Sequence, residues 1–282
     1  MSENGSVKIN INKQWLAELK KIIMERPYSI DYLNGLDGID DNNIAPIKPK
    51  KRALEIFDSM DEIESEPSEN TFRLEGELGK FLGDLERFEL AITIEGDQGG
   101  GKTRLAYQLA NAFAEFGDKV AVFSLEIGKK SDLIRRMRED YIQPENLKNI
   151  FIADQSPKGL DTIKEAAKKF DVIVLDSWNK VGAPSIEFDR LRKEHPDTIF
   201  LVIFQRTTQK TIRGGTAPLF DAGINIEVVK VDDSFVNNYA VATKNRYSAT
   251  GTRYNISQQA IMGNHIEESS EIKKKEPDIF NS

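Results

Sequence analysis

Cysteine is absent from this chain of 282 residues, and histidine occurs only at His195 and His265. The lack of cysteine excludes disulfides and any thiolate site for zinc or an iron–sulfur cluster. Two histidines that lie far apart in sequence also give no sign of a histidine metal cluster. Any bound metal is therefore expected to be a hard cation with oxygen ligands.

Long hydrophobic runs are absent as well. No stretch approaches the roughly 20 apolar residues of a membrane-spanning helix, and the first thirty residues lack the apolar segment of a signal peptide. We therefore expect a cytoplasmic protein without a membrane partner. The formal charge of −7 argues against a surface that is basic throughout. A local basic strip remains compatible with that charge, because salt screens surface charges beyond about 10 Å.

Residues 1–70 form an N-terminal arm of uneven composition. Residues 13–24 can form a short helix that carries Trp15, and residues 55–69 hold seven acidic side chains and no basic one. Two interpretations are open. The arm is either a small helical element followed by a solvated, partly disordered linker, or a segment that docks a protein partner through the Trp15 helix. The charged tail at residues 263–282 shows no pattern, and we expect it to be disordered.

Residues 71–262 alternate short apolar runs with segments of helical periodicity. This alternation predicts an α/β fold with a mainly parallel sheet covered by helices on both faces. Three later runs suggest antiparallel strands added near the C-terminus. The predicted strands are residues 90–94, 120–125, 150–153, 172–175 and 199–204, the later runs are residues 224–231, 238–243 and 252–256, and the predicted helices are residues 103–116, 132–141, 160–170 and 186–193.

The strongest motif follows the first of these strands. Glycines let backbone N–H groups converge on phosphate oxygens, and the N-terminus of the following helix adds about half a positive charge. This is a P-loop, in which Lys102 reaches the β- and γ-phosphates of a nucleotide and Thr103 ligates Mg²⁺. The predicted ATP-binding residues are Gly96, Asp97, Gln98, Gly99, Gly100, Gly101, Lys102, Thr103 and Arg104.

Three further polar residues end predicted strands. Asp176 fits the acid that holds Mg²⁺ beside the phosphates, although an aspartate there can also cap a turn. Glu126 is placed to orient or deprotonate a water molecule that attacks the γ-phosphate. Gln205 can sense the γ-phosphate by hydrogen bonding. For Glu126 and Gln205, an ordinary surface polar residue is an equally open interpretation.

Taken together, these segments resemble the RecA superfamily, with the RadA-like and DnaB-like ATPases as the nearest branches. The resemblance covers roughly residues 72–256 and includes the sequences FLGDL at 81–85, FSLE at 123–126 and KNRY at 244–247. It implies a RecA-like sheet in which the Gln205 strand lies between the phosphate-loop strand and the Asp176 strand. It also implies that Glu126 is the catalytic carboxylate.

The resemblance further implies assembly of identical subunits into a ring or filament, with a hexamer favoured and ATP between subunits. Lys244 and Arg246 match basic residues that reach the ATP of the neighbouring subunit. An exposed basic edge strand is the alternative interpretation of these two residues.

Single-stranded DNA is the partner that the resemblance implies for the loops after the fourth and fifth strands. The first loop contains Trp178, which could stack a base, and Lys180. The second, residues 206–216, contains Arg206, Lys210 and Arg213 and no acid. Basic loops that contain glycine suit sequence-independent binding of a nucleic-acid backbone. An ordinary solvated loop is the alternative.

Two functions from different classes follow. The first is an ATP-hydrolysing motor on single-stranded DNA in replication or recombination, since the chain shows neither a helical N-terminal domain of the size in DnaB helicases nor a zinc motif. A small helicase of the phage or mobile-element type and a recombination accessory ATPase both fit this description. The second is an ATP-gated switch or loader that binds a protein partner without moving along DNA.

Overall fold

The computed structural model describes residues 59–60, 70–209 and 211–263. The chain divides into two compact units, Met1–Ser65 and Glu66–Ser282. The predicted Trp15 helix, nearly all of the acidic run at residues 55–69, Lys210 and residues 264–282 lie outside the described residues. The following account concerns the second unit.

A nine-stranded sheet forms the centre of this unit, in the order β11-β10-β9-β8-β3-β7-β6-β4-β5. Two further short strands, β1 (Thr71–Phe72) and β2 (Leu85–Glu86), pair antiparallel with each other. The strands of the large sheet are β3 (Ala91–Gly96), β4 (Val120–Ser124), β5 (Ile150–Ala153), β6 (Val172–Asp176), β7 (Ile199–Ile203), β8 (Ile224–Val229), β9 (Tyr239–Asn245), β10 (Arg253–Asn255) and β11 (Ala260–Ile261).

The sheet is mainly parallel, and its antiparallel part lies at the C-terminal end, as the sequence predicts. One expectation about β8 was wrong. The residues of β8 were expected to be an antiparallel addition, but β8 pairs parallel with β3, in register from Ile92 opposite Ile224. The reason is a short helix between β7 and β8, which returns the chain to the same end of the sheet. Antiparallel pairing begins only with β9.

Helices cover both faces of the sheet. They are α1 (Gly76–Leu82), α2 (Lys102–Phe116), α3 (Asp132–Tyr141), α4 (Leu160–Ala167), α5 (Glu187–Glu194) and α6 (Ala217–Asp221), with 3₁₀ turns at Pro144–Asn149 and Trp178–Lys180. Among the described residues, no helix is both long and apolar enough to cross a membrane.

Two apolar cores result, one on each face. The first includes Leu109 and Phe113 of α2 packed on Ile92 of β3, and the second includes Ile163 of α4 and Phe188 of α5. Alternate residues of the central strands face opposite cores, so β3, β6 and β7 are buried throughout their length.

Local signals explain several helix ends. Gly117 ends α2 with φ of 109°, a left-handed conformation that glycine adopts without a steric penalty. The hydroxyl of Ser131 accepts a hydrogen bond from the backbone N–H of Ile134 and caps the start of α3. These signals fix where the chain turns between the strands, and the carboxyl ends of β3, β4, β6 and β7 therefore meet at one edge of the sheet.

Candidate active site

The predicted phosphate loop connects β3 to α2 at this edge. Gly101 has φ of 112°, and a Cβ atom there would lie 2.5 Å from a ring carbon of Phe235. A Cβ atom at Gly96 would lie 2.2 Å from the carbonyl oxygen of Val228. Both positions therefore require glycine, the first for its backbone conformation and its neighbour, the second because another strand approaches closely.

Lys102 and Thr103 open α2 and point back toward the loop. The ammonium group of Lys102 donates to the carbonyl oxygens of Gly96 and Asp97, at 2.9 Å each. Thr103 donates its hydroxyl hydrogen to Oδ2 of Asp176 at 2.7 Å. The phosphate loop and the end of β6 are thus joined directly, as the sequence predicts for a shared nucleotide and metal site.

The carboxyl group of Asp176 is buried, and burial raises its pKa from 3.8 to about 6. The nearby Glu126 raises this pKa further, whereas the hydrogen bond from Thr103 and the charge of Lys102 lower it. Burial likewise lowers the pKa of Lys102, against the attraction of Asp176, Glu126 and Asp97. A low-dielectric site of this kind strengthens the interaction of either group with an ionic ligand.

Glu126 and Gln205 lie side by side. The Oε1 atom of Glu126 accepts hydrogen bonds from Nε2 of Gln205 at 2.5 Å and from the hydroxyl of Ser177. The backbone N–H of Gln205 donates to the side-chain oxygen of Asn179 at 3.1 Å. The ends of β4, β6 and β7 therefore hold one carboxylate in a defined position, although Gln205 and Glu126 are separated by 79 positions in sequence.

A single cavity of about 580 Å³ collects these groups. It combines four basic side chains with two acidic ones, and apolar side chains line one part of it. Its walls are Gly96, Gln98, Gly99, Gly101, Lys102, Thr103, Arg104, Glu126, Leu133, Met137, Asp176, Ile203, Gln205, Arg206, Arg213 and Phe235. Of the predicted ATP-binding residues, Asp97 and Gly100 are not among the lining residues.

No protein-family model and no curated protein matches the chain. Solved structures do match it. The flagellar accessory protein FlaH from Methanocaldococcus jannaschii is 18% identical over 66% of this chain and 94% of its own, with a TM-score of 0.52. A second solved structure, also of an ATPase domain, is 16% identical over 61% of this chain and 82% of its own, with a TM-score of 0.47. A KaiC-like protein from Pyrococcus horikoshii is 19% identical over 62% of this chain and 90% of its own, with a TM-score of 0.47.

The chain has the RecA-like fold. Its β7 lies between β3 and β6, so the predicted position of the Gln205 strand within a RecA-like sheet is confirmed. At these identities the likeness establishes the architecture, and the function has to be argued from the site.

Phe235 is a site residue that the sequence analysis missed. It lies in the turn between β8 and β9, and the Arg104 guanidinium stands 3.9 Å from the centroid of its ring. The fully buried Asn238 fixes this turn, because its side chain donates to the carbonyl of Gly100 at 3.2 Å and accepts from the N–H of Val231. No local motif marks Phe235. Only the return of this turn over the phosphate loop brings the residue to the cavity.

Trp178 corrects a prediction. It is only 1% exposed, and its ring packs against Phe188 and Phe204 in the second core. Its indole N–H donates to the carbonyl of Ala183. The side chain is thus a core residue and cannot stack a DNA base, because the 3₁₀ turn after β6 directs it inward.

Arg206 also departs from its predicted place in a DNA-binding loop. Its guanidinium pairs with Glu95 at 3.2 Å and with Glu227 at 2.8 Å, and lies 4.0 Å from Asp97. Its side chain is 13% exposed. Arg206 therefore joins β3, β8 and the phosphate loop, and is not a free cation for nucleic acid. Lys180 is exposed, and so is Arg213.

Lys244 and Arg246 lie away from the cavity in their own chain. The Lys244 ammonium donates to the carbonyls of Leu219, Phe220 and Ala222, and Arg246 donates to that of Phe220. Both basic residues therefore stabilise the C-terminal end of α6, whose carbonyls carry partial negative charge.

The groups at the end of β6 suit Mg²⁺. Thr103 and Asp176 present two adjacent hard oxygen donors, which Mg²⁺ prefers, and Mg²⁺ usually completes its shell with water and substrate phosphates. In the part of the chain that the structure describes, no group of three or more histidine, cysteine, aspartate or glutamate side chains could hold a metal ion alone. A metal here would thus depend on the nucleotide.

Proposed function

We propose that this protein binds ATP with Mg²⁺ in the cavity and hydrolyses it. The observation that carries the proposal is the convergence of Lys102, the bonded pair Thr103 and Asp176, and the bonded pair Glu126 and Gln205 on one cavity behind a glycine loop. A cation for phosphate, oxygen ligands for Mg²⁺ and a carboxylate for water are the parts that phosphoryl transfer to water needs.

Each residue has a distinct task. Lys102 exchanges its bonds to the Gly96 and Asp97 carbonyls for bonds to phosphate oxygens. Thr103 and Asp176 would hold the Mg²⁺ ion, which neutralises charge on the phosphates when bound. Glu126 orients the attacking water and accepts its proton, while Gln205 and Ser177 hold the carboxylate in place.

The nucleobase is assigned to the side of the cavity formed by Arg104 and Phe235. A planar guanidinium and an aromatic ring at 3.9 Å offer flat surfaces for a base, and Leu133 and Met137 give the same cavity apolar lining. This completes the predicted role of Arg104 in nucleotide binding.

Assembly into a ring or filament is part of the proposal. Lys244 and Arg246 would act on the ATP of a neighbouring subunit, for which they must leave the α6 carbonyls. Mixing Arg246→Ala subunits with Lys102→Ala subunits tests this role, because some interfaces then combine an intact half from each. Recovery of turnover supports it, and no recovery in mixtures that co-assemble contradicts it.

The leading biological role is a motor on single-stranded DNA in replication or recombination. Its support is the meeting of the two candidate loops. Asn179 of the first loop accepts from the N–H of Gln205 and donates to the carbonyl of Arg213 at 3.5 Å. The second loop thus begins at a residue that contacts Glu126, so a change at the nucleotide can reach it.

A switch or loader that binds a protein partner is the second candidate. The burial of Trp178 and the ion pairs of Arg206 favour it, because two of the five residues expected to bind DNA are engaged within the protein. The N-terminal arm is the proposed docking segment for such a partner.

Steady-state ATP hydrolysis with and without single-stranded DNA tests the proposal. Turnover that depends on Mg²⁺ and rises on adding DNA supports the motor. Turnover that ignores DNA supports the switch or loader. A protein that neither binds nor hydrolyses ATP contradicts both.

A further inference from the structure

The cavity contains one cation whose side chain is not engaged. Its basic residues are Lys102, Arg104, Arg206 and Arg213. Lys102 bonds to the phosphate loop, Arg104 lies over Phe235 and donates to Tyr141, and Arg206 pairs with two glutamates. Within residues 70–209 and 211–263, the Arg213 guanidinium has no hydrogen-bonding or ionic partner.

The backbone of Arg213 is nevertheless held firmly. Its N–H donates to the carbonyl of Gln205 at 2.9 Å, and the residues next to these two, Arg206 and Ile212, form an antiparallel bridge. Ile212 is buried in the second core, at 3% exposure. Arg213 therefore stands at the base of a short hairpin, directly beside Gln205, and not at the tip of the loop.

The carbonyls on the far side of Arg213 are tied down too. Asn179 donates to the carbonyl of Arg213, and the hydroxyl of Ser185 donates to that of Gly214 at 2.5 Å. The direction of the chain at Arg213 is thus set by three other segments. A long side chain that starts from a fixed backbone beside Glu126 and Gln205, and that lines the same cavity, is positioned for a ligand in that cavity.

Charge and chemistry identify the ligand group. The terminal phosphate of a nucleoside triphosphate is the most highly charged group that the proposed reaction brings to Glu126 and Gln205. A guanidinium presents a planar fork of donors that matches two phosphate oxygens, and it stays protonated throughout. Nucleoside diphosphates lack this terminal group.

We propose that Arg213 binds the γ-phosphate of ATP from within the same chain, as a phosphate-binding residue, and that it is not a contact for DNA. This inference rests on the proposed ATPase function. It assigns to the chain's own hairpin a cation that stabilises charge on the transferring phosphate, in addition to any that a neighbouring subunit supplies. It also makes the hairpin that starts at Gln205 sensitive to the loss of that phosphate.

The test compares binding of a non-hydrolysable ATP analogue and of ADP, each with Mg²⁺, to the full chain without DNA. Arg213→Ala should weaken the analogue by about tenfold, which is the loss of one charge-assisted contact, and should leave ADP unchanged. Arg213→Lys keeps the charge and loses the planar fork, so its affinity for the analogue should be intermediate.

Arg190→Ala is the matched control. Arg190 is an exposed arginine of α5 whose ion pair is to Glu187, and it does not line the cavity. The variant should bind both nucleotides as the wild type does. The Arg213 side chain has no partner in the described chain, so its removal should leave the unfolding midpoint of the nucleotide-free protein unchanged. If Arg213→Ala fails to fold, Arg213→Lys decides.

Three outcomes overturn the inference. Equal weakening of ADP and analogue would show that Arg213 does not read the terminal phosphate. Unchanged affinity for both, with weaker binding of a single-stranded oligonucleotide, would return Arg213 to the DNA surface. A wild type that binds neither nucleotide would contradict the proposed function as well, whereas a wild type that binds both and an Arg213→Ala variant that matches it would contradict only this inference.

Discussion

The nucleotide cavity and the neighbouring basic loop at residues 206–216 differ in what determines where their side chains point. In the cavity, backbone geometry aims the functional groups. Gly96 ends β3, Lys102 starts α2 and Asp176 ends β6, so each position follows from the element that carries it. In the loop, charge composition alone suggested a binding surface. Arg206 instead forms ion pairs with Glu95 and Glu227, and Arg213 lines the cavity.

The comparison shows which kinds of sequence signal determine direction. A motif tied to a strand end places its side chain at the carboxyl edge of a parallel sheet, where ligands bind. A run of basic residues in a loop states only that positive charge is nearby. Each cation then pairs with whatever anion the fold brings to it.

The largest expected effect is on the cavity side. Lys102→Ala removes the cation that faces the phosphates and should reduce turnover by a factor of about 10² or more, in the range found when one stabilising donor is removed. The measurement is ATP hydrolysis together with nucleotide affinity. Lys158→Ala, an exposed lysine of the loop before α4, is the control. Turnover of Lys102→Ala at the wild-type level would mean that the cavity is not the active site.

A second prediction concerns Trp178 on the loop side. Trp178→Ala should lower the free energy of unfolding by about 3–5 kcal/mol, because it leaves a large cavity in the second core. Trp178→Phe should cost less and should bind a single-stranded oligonucleotide like the wild type. Urea unfolding and an oligonucleotide titration measure the two effects. A stable Trp178→Ala protein with weakened DNA affinity would restore the base-stacking role.

A third prediction separates binding from chemistry. Glu126→Gln keeps a side chain that can bond to Ser177 and Gln205 but cannot accept a proton. Affinity for ATP should persist while turnover falls by a factor of about 10². Asp154→Asn is the comparison, since Asp154 pairs with Lys129 and does not line the cavity. If Asp154→Asn loses turnover and Glu126→Gln does not, the catalytic carboxylate has been assigned to the wrong strand.

The smallest effect is the pH dependence of Asp176. Its pKa rises from 3.8 to about 6 on folding, so between these values the folded state holds this proton more tightly than the unfolded state. The stabilisation from this group is present below pH 3.8 and is lost as the pH rises through about 6. Asp176→Asn should remove this component from the pH dependence of the free energy of unfolding.

The same titration should affect the metal site. Below about pH 6 the protonated carboxyl of Asp176 is a poor ligand, so Mg²⁺-dependent nucleotide affinity should fall there. Nucleotide titrations at about pH 5.5 and about pH 7.5, with and without Mg²⁺, measure it. An affinity that depends on Mg²⁺ equally at both pH values would place the metal on other ligands.

Much of the fold was predictable because its signals are local. The apolar runs at β3, β6 and β7 and the helical periodicity of α2 follow directly from residue order. The parallel pairing of β8 was not predictable, since a lone apolar run does not reveal which strand it joins or in which direction. That depends on α6, a five-residue helix too short to show a period.

The candidate site divides in the same way. Lys102, Thr103 and Asp176 were found because a glycine loop and a strand end carry their own geometry. Phe235 was not found, because its place over Gly101 depends on a turn held by Asn238, far along the chain.

By itself the sequence determined the α/β architecture, the phosphate loop and the edge of the sheet at which chemistry can occur. These follow from strand and helix periodicity and from the conformations that only glycine adopts. Tertiary structure alone decided that Trp178 is core, that Arg206 is ion-paired and that Arg213 and Phe235 border the nucleotide cavity. The physical reason is that burial and charge pairing depend on residues far apart in the chain, which no local pattern brings together.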